Sequence, residues 1–282
     1  MRIRIRHETT YRYAEPPRMA VQHLRLSPRN HDGQHVVDWR IDVDRDCRLV
    51  QSEDAFGNTL HRFSVDGPIE SISTVVEGEV TTFDMTGVVS GAVERFPPIL
   101  YMRETPLTTP SAAIGDFARE TTSKESGTLA KLHALLGAIH ESLTFDAAAT
   151  HSATTAAECF EHRKGVCQDF SHLFIACARG IGAPARYVSG YFLSSDGEDQ
   201  VAGHAWAEAY VEDLGWVAFD PTHGVAPQEN HVRVAVALDY LGAAPIRGAH
   251  SGGAGETLDV KVRVARAAAF SQSQSQSQSQ SQ

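Results

Sequence analysis

Of the four cysteines in this 282-residue chain, Cys167 has the surroundings a nucleophile needs. It follows Lys164-Gly165-Val166 and precedes Phe170, Phe174, Cys177 and Ala178, which recur at helical spacing until Gly180 and Gly182 stop the run. The thiol therefore stands at or just after a helix start. Unpaired N–H groups and the helix dipole favour a thiolate there, and the Cys167 N–H can steady an oxyanion. Cys177 lies inside the apolar pattern and reads as core. A thiol nucleophile also needs an imidazole to share its proton and a group to orient that imidazole. His204 opens a strand-like run in which His204, Trp206, Glu208 and Tyr210 share one face, while Ala205, Ala207, Ala209 and Val211 line the other, core-like face. The first face reads as the wetter one. Asp220 closes the next run in Phe219-Asp220-Pro221-Thr222. With a two-residue turn at Glu212-Asp213, Asp220 pairs opposite Ala205. A bulge or a frayed strand end is then needed to aim His204 and Asp220 together. Taken alone, Asp220 reads equally well as a turn residue before Pro221.

Neighbouring residues have plainer roles. Trp206 walls the site or packs, Gln168 adjoins the thiol but a helix can turn it away, and Asp169 is a first-turn carboxylate or a group behind the site. Arg186 and Tyr187 read as supports. Cys159, His162, Cys167 and His172 have a spacing reminiscent of a zinc knuckle. Two predicted helices carry them, and His172 faces differently from Cys167, so no metal is expected. His223, His231 and His250 show no helical pairing, and His204-Ala-Trp-Ala-Glu208 is not a His-Glu-x-x-His site.

Residues 1–88 supply short alternating runs: Ile3 to Tyr13, Val37 to Val43, Leu60 to Val65 and Ser71 to Phe83, with a turn at Phe56-Gly57-Asn58. They predict a small sandwich or barrel-like β module. Arg2, Arg4 and Arg6 alternate with Ile3 and Ile5 as a strand's solvent face does. Residues 89–110, with Pro97, Pro98, Pro106 and Pro110, read as a linker. In 111–266, Thr109-Pro110 is a helix-start pattern, 128–143 an amphipathic helix, and Thr155-Ala-Ala-Glu158 a capping box whose helix ends at Gly165. Strands follow at 185–192, 204–211 and 216–220, with a last one over 256–264; 230–241 suits strand or helix. Residues 267–282 end in a Ser-Gln repeat with nothing to bury, expected to be disordered and without function. The fold class expected is α+β.

The chain carries 35 acidic and 25 basic side chains, net charge −10, a poor match for nucleic acid or an anionic membrane. No apolar stretch reaches the ~18 residues of a membrane span. Arg2 to His7 is unlike a secretory signal, so a cytoplasmic setting with reduced cysteines is expected.

Gly165-Val-Cys167-Gln-Asp, Ala185-Arg-Tyr-Val-Ser-Gly190-Tyr, His204-Ala-Trp-Ala-Glu and Gly215-Trp-Val-Ala-Phe-Asp220-Pro-Thr, in that order, resemble the bacterial transglutaminase-like proteins, a branch of the papain-like cysteine enzymes. Leu24-Arg-Leu-Ser-Pro28-Arg and Asp54-Ala-Phe-Gly-Asn58 resemble the β domain that precedes the core in that group. The likeness spans nearly the whole chain except the tail. The one departure, Gly203 before His204 where relatives often carry another small residue, puts little in doubt. The resemblance implies a papain-like core with Cys167 as nucleophile, His204 as general base and acid, and Asp220 as orienting carboxylate. It implies cysteine-dependent acyl transfer or hydrolysis of a peptide-like amide through a thioester, with no cofactor. Water and an amine are both open as acceptor. A non-catalytic binding module is the alternative, and arylamine-type acetyl transfer fits the motifs and the β domain less well.

Overall fold

A computed structural model of the chain describes residues 1–194 and 203–267. The expected disorder of the Ser-Gln tail falls outside the described residues. Six strands form the N-terminal module: β1 (Arg2–Glu15), β2 (Met19–Ser27), β3 (Gln34–Val43), β4 (Val50–Glu53), β5 (Thr59–Asp66) and β6 (Ser71–Thr82). Period-two alternation sets their faces. Ile3 and Ile5 are fully buried, while Arg2 and Arg4 pair with Glu79 and Arg6 with Glu77 on the other side. Tyr13, Ile72 and Val76 from one sheet pack on Leu24, Leu26, Phe63 and Val65 from the other, as in a sandwich.

The core sheet has the order β13-β10-β11-β12-β7, built from β7 (Val88–Val89), β10 (Ala185–Phe192), β11 (His204–Val211), β12 (Gly215–Phe219) and β13 (His231–Ala237). A short parallel pair joins β8 (Thr144–Phe145) to β9 (Lys164–Gly165). Helices α1 (Ala112–Thr122), α2 (Thr128–Ser142), α3 (Ala156–His162), α4 (Cys167–Gly180) and α5 (Tyr240–Ala243) complete it. Phe170, Leu173, Phe174 and Cys177 of α4 pack with Leu132, Leu135 and Ile139 of α2 and with the alanine face of β11. Local chemistry sets the helix ends. Ser111 caps α1 by accepting from the Ile114 N–H at 3.3 Å, two residues beyond the expected Thr109. The Thr155–Glu158 capping box is present. α3 ends at Arg163 in the left-handed region (φ 54°) rather than at Gly165, which continues into β9. The stretch 230–241 divides into β13 and α5.

The last two strands, β14 (Ile246–Ser251) and β15 (Ala254–Arg266), return to the N-terminal sheets. β14 pairs with β2 and β15 with β1, giving the orders β14-β2-β5-β4 and β15-β1-β6-β3. The division at residue 111 set from sequence therefore does not follow the sheets: residues 246–266 lie in the N-terminal sheets, and Val88–Val89 edge the core sheet. Asn58 ties the two parts together, donating to the Val236 carbonyl and accepting from the Val236 N–H, both at 2.8 Å. Asp54 holds Asn58 through that residue's side chain and N–H, and Arg25 bonds Asp54 at 2.7 Å. The two N-terminal motifs thus meet at the docking point. Among the described residues no helix is long and apolar enough to cross a membrane.

Candidate active site

Gly165-Val166 delivers Cys167 to the first position of α4. Val166 is extended, and its N–H donates to the Asp169 carboxylate at 2.8 Å. A Cβ on residue 165 would lie 2.8 Å from Asp169 Cβ, so the close approach requires glycine. Asp169 also accepts from the Thr150 hydroxyl at 2.7 Å and is fully buried. Burial pushes its carboxyl up, against the pull of the Val166 and Thr150 bonds. Asp169 thus caps the helix that carries the thiol and does not face the cleft. Gln168 faces the cleft and bonds the Ser152 carbonyl at 3.2 Å.

His204 and Asp220 come from adjacent strands. Val211 pairs with Gly215 and Ala207 with Phe219. The connection is therefore three residues, Glu212 to Leu214, with Asp213 (φ 72°) and Gly215 (φ 82°) in the left-handed region. The extra loop residue corrects the parity, so neither the bulge nor the frayed strand end expected in this hairpin is needed. The irregularity lies instead in the β10–β13 ladder at Ser189/Gly190, beside His204's partner Gly190. A Cβ at Gly190 would meet the Val232 carbonyl at 2.1 Å and the Trp206 ring at 2.6 Å.

His204 Nε2 lies 2.7 Å from Asp220 Oδ2. That bond leaves Nδ1 to face the thiol. Burial pushes His204 down, but Asp220 and then Cys167 outweigh it and raise the imidazole to about 10. Asp220 is fully buried; burial opposes its charge, yet His204, His223 and His231 hold it well below the usual carboxylate range. His223 Nδ1 and His231 Nε2 approach the same Oδ2 at 2.7 and 3.1 Å, and the Thr222 N–H donates to Oδ1 at 3.0 Å. Phe192 lies against all three rings, with centroids 5.3 Å from His204, 4.2 Å from His223 and 4.9 Å from His231. Sequence reading missed His223 and His231. They follow Asp220 through a turn and a loop, and spacing along those carries no signal of convergence. Among the described residues, His204, Asp220 and His231 offer ligand atoms within 4.8 Å of one another, a donor set that could hold a metal. The zinc-knuckle set is not brought together: Cys159 and His172 are buried, and His172 Nε2 accepts from the Tyr240 N–H at 3.1 Å.

The face bearing His204, Trp206 and Glu208 is not wet. Trp206 is 2% exposed and packs edge-on against His231 rather than lining the cleft. Glu208 is fully buried and bonds Arg186 at 2.6 Å and Arg233 at 2.7 Å. Arg186 also reaches Glu94 and stacks 3.8 Å over Trp216, a support as its sequence context suggested. The docked N-terminal module and the segment around Val89 cover this face.

Cys167 and His204 open onto a cleft of about 240 Å³ that is continuous with solvent. Tyr187, Ser189 and Tyr240 wall it from the core, and His7, Thr9, Tyr11, Leu258 and Val260 from the N-terminal module. The module therefore shapes the site directly.

A strand module joined to a papain-like core of helices on an antiparallel sheet defines the class. Residues 115–221 match the transglutaminase-like superfamily, and residues 3–81 match the bacterial transglutaminase-like N-terminal region. The chain belongs to the bacterial transglutaminase-like proteins. Uncharacterized protein ML0607 of Mycobacterium leprae is 30% identical over 93% of this chain and 97% of its own. A Pseudomonas aeruginosa protein-glutamine gamma-glutamyltransferase is 36% identical over 31% of this chain and 15% of its own. A crystal structure from Cytophaga hutchinsonii, named a "Putative Cysteine Protease", has the same fold, with a TM-score of 0.78 and 22% identity over 95% of this chain and 91% of its own.

Proposed function

We propose that the chain catalyses cysteine-dependent acyl transfer or hydrolysis of a peptide-like amide, with Cys167, His204 and Asp220 as its catalytic triad. The observation that carries the reading is one imidazole held at Nε2 by a buried carboxylate while a helix-start thiol bears on the same ring. Nδ1 of His204 takes the Cys167 proton, and Asp220 stabilises the imidazolium. The thiolate attacks the amide carbon, and the Cys167 N–H donates to the oxyanion. Nδ1–H then protonates the departing nitrogen, the C–N bond breaks, and a thioester remains. Water or an amine gives its proton to Nδ1, attacks the thioester and releases the thiol. Apart from the water or amine acceptor, every step uses groups of the chain itself, and none calls for a cofactor.

Site-resolved iodoacetamide labelling across pH tests this. Cys167 is expected to label rapidly near pH 6, where an ordinary thiol of pKa ~8.5 is protonated. His204→Ala is expected to slow it at least about tenfold. Labelling no faster than at Cys47, Cys159 or Cys177 would sink the proposal and leave a binding module.

A further inference from the structure

The cleft beside Cys167 differs in chemistry from the rest of a chain in which 21% of residues are charged. Among the described residues, no Asp, Glu, Lys or Arg lines it. On the wall from the N-terminal module, His7 and Tyr11 are both neutral at ordinary pH: burial pushes the imidazole down to about 4 and the phenol up to about 12. His7 is also fully engaged, with Nδ1 2.9 Å from the Tyr191 hydroxyl and Nε2 3.0 Å from the Thr9 hydroxyl. The rest of that wall is uncharged and, apart from the Thr9 and Tyr11 hydroxyls, apolar. Tyr11 pairs across the ladder with Leu258 and Thr9 with Val260. Leu258 is 56% exposed, a large apolar side chain left open at the cleft mouth. Ile246 adds to this wall from β14, and Tyr187 and Tyr240 face it from the core. Against this wall, away from the Cys167–His204 pair, a charged group would lose water and meet no carboxylate, ammonium or guanidinium among the described residues, whereas an apolar one would bury its surface.

Resting on the cysteine chemistry proposed above, we infer that Tyr11, Ile246, Leu258 and Val260 form a specificity subsite for an uncharged, apolar side chain next to the carbonyl that Cys167 attacks. The N-terminal module, completed by the last two strands, is then the element that selects substrate. The test measures alkylation rates at Cys167 for three iodoacetamides of equal reach, bearing a phenylethyl, a carboxylate or an ammonium group. Each rate is normalised to the probe's rate with free cysteine. The phenylethyl probe is expected to react about tenfold faster than either charged one. Leu258→Lys is expected to favour the carboxylate over the ammonium probe, and Leu258→Asp the reverse, an inversion that general damage to the fold cannot produce. Val37→Lys, on exposed β3, is expected to keep the wild-type ratios. Equal rates for the three probes, or Leu258 variants with wild-type ratios, would overturn the subsite while fast iodoacetamide labelling still upheld the nucleophile. Slow labelling by iodoacetamide itself would remove both.

Discussion

Asp220 holds three imidazoles at one carboxylate oxygen, and that crowding sets the protonation of the site. His231 reaches that oxygen through Nε2, while its Nδ1 lies 2.8 Å from Asn230 Oδ1 and 3.3 Å from the Gln228 N. Burial pushes His231 down, against the pull of Asp220, and keeps the ring neutral. His231 thus fixes the carboxylate while His204 carries the charge. The carboxylate in turn maintains the imidazolium: with it replaced, burial is left to dominate and lowers His204. Asp220→Asn is therefore expected to abolish the rapid labelling of Cys167 near pH 6, slowing it about a hundredfold. An NMR titration of His204 is expected to show its pKa falling from near 10 to below 6.5 in the variant. The raised pKa also contributes stability that is full below pH 6.5 and is lost as pH climbs through about 10. The variant should lack that slope in its thermal melts. An unchanged labelling profile in Asp220→Asn would reduce the carboxylate to a turn residue.

At the scale of the element, β11 carries chemistry at one end and a buried charge network at the other. Glu208 pairs with Arg186 and Arg233 inside the packed face, and the two guanidiniums hold its carboxyl at about 2 despite burial. Removing the carboxylate's charge takes the ion pair from the half-buried Arg233 and leaves the buried Arg186 with Glu94 alone, so Glu208→Gln is expected to cost about 3 kcal/mol in urea unfolding. The wild-type network loses its stabilisation as pH falls from about 4.5 towards 2, a loss that the variant should not show. This strand also marks what the sequence could tell. The alternation from His204 to Val211 defined its two faces, and the four motifs indicated the class and the candidate Cys167, His204 and Asp220. Alternation reports only that the faces differ, however. It could not tell that the N-terminal module buries the second face as well, because that packing joins Asn58 to Val236 across a long stretch of chain. The hairpin register failed for a related reason: a two-residue and a three-residue turn differ by one residue, and that residue decides which side Asp220 takes.

Across the whole molecule, the first and last strands lie side by side. β1 and β15 run antiparallel from Ile3 opposite Arg266 to Glu15 opposite Ala254, so the N-terminal sheet gains its fourth strand only once residues 254–266 join it. The same two strands supply one wall of the cleft. Contacts this distant in sequence couple the folding of the module to that of the core. A chain ended after residue 245 would leave the edges of β1 and β2 unpaired and the inward row of β1 partly uncovered. Full-length protein is expected to melt in a single transition followed alike by near-UV and far-UV circular dichroism, while the 1–245 chain is expected to lose that cooperativity and bind a hydrophobic dye. Acid should strike both parts together. Burial lowers His7 at the cleft wall to about 4 and His172 in α4 to about 3. Both rings are neutral in either state above pH 6.5, and below it the unfolded chain gains their protons first, so stability falls as pH drops from 6.5 towards 3, by about 8 kcal/mol in all. If the core melted separately from the β module in that range, the two would be independent folding units, and the cleft between them would be assembled by docking rather than by folding.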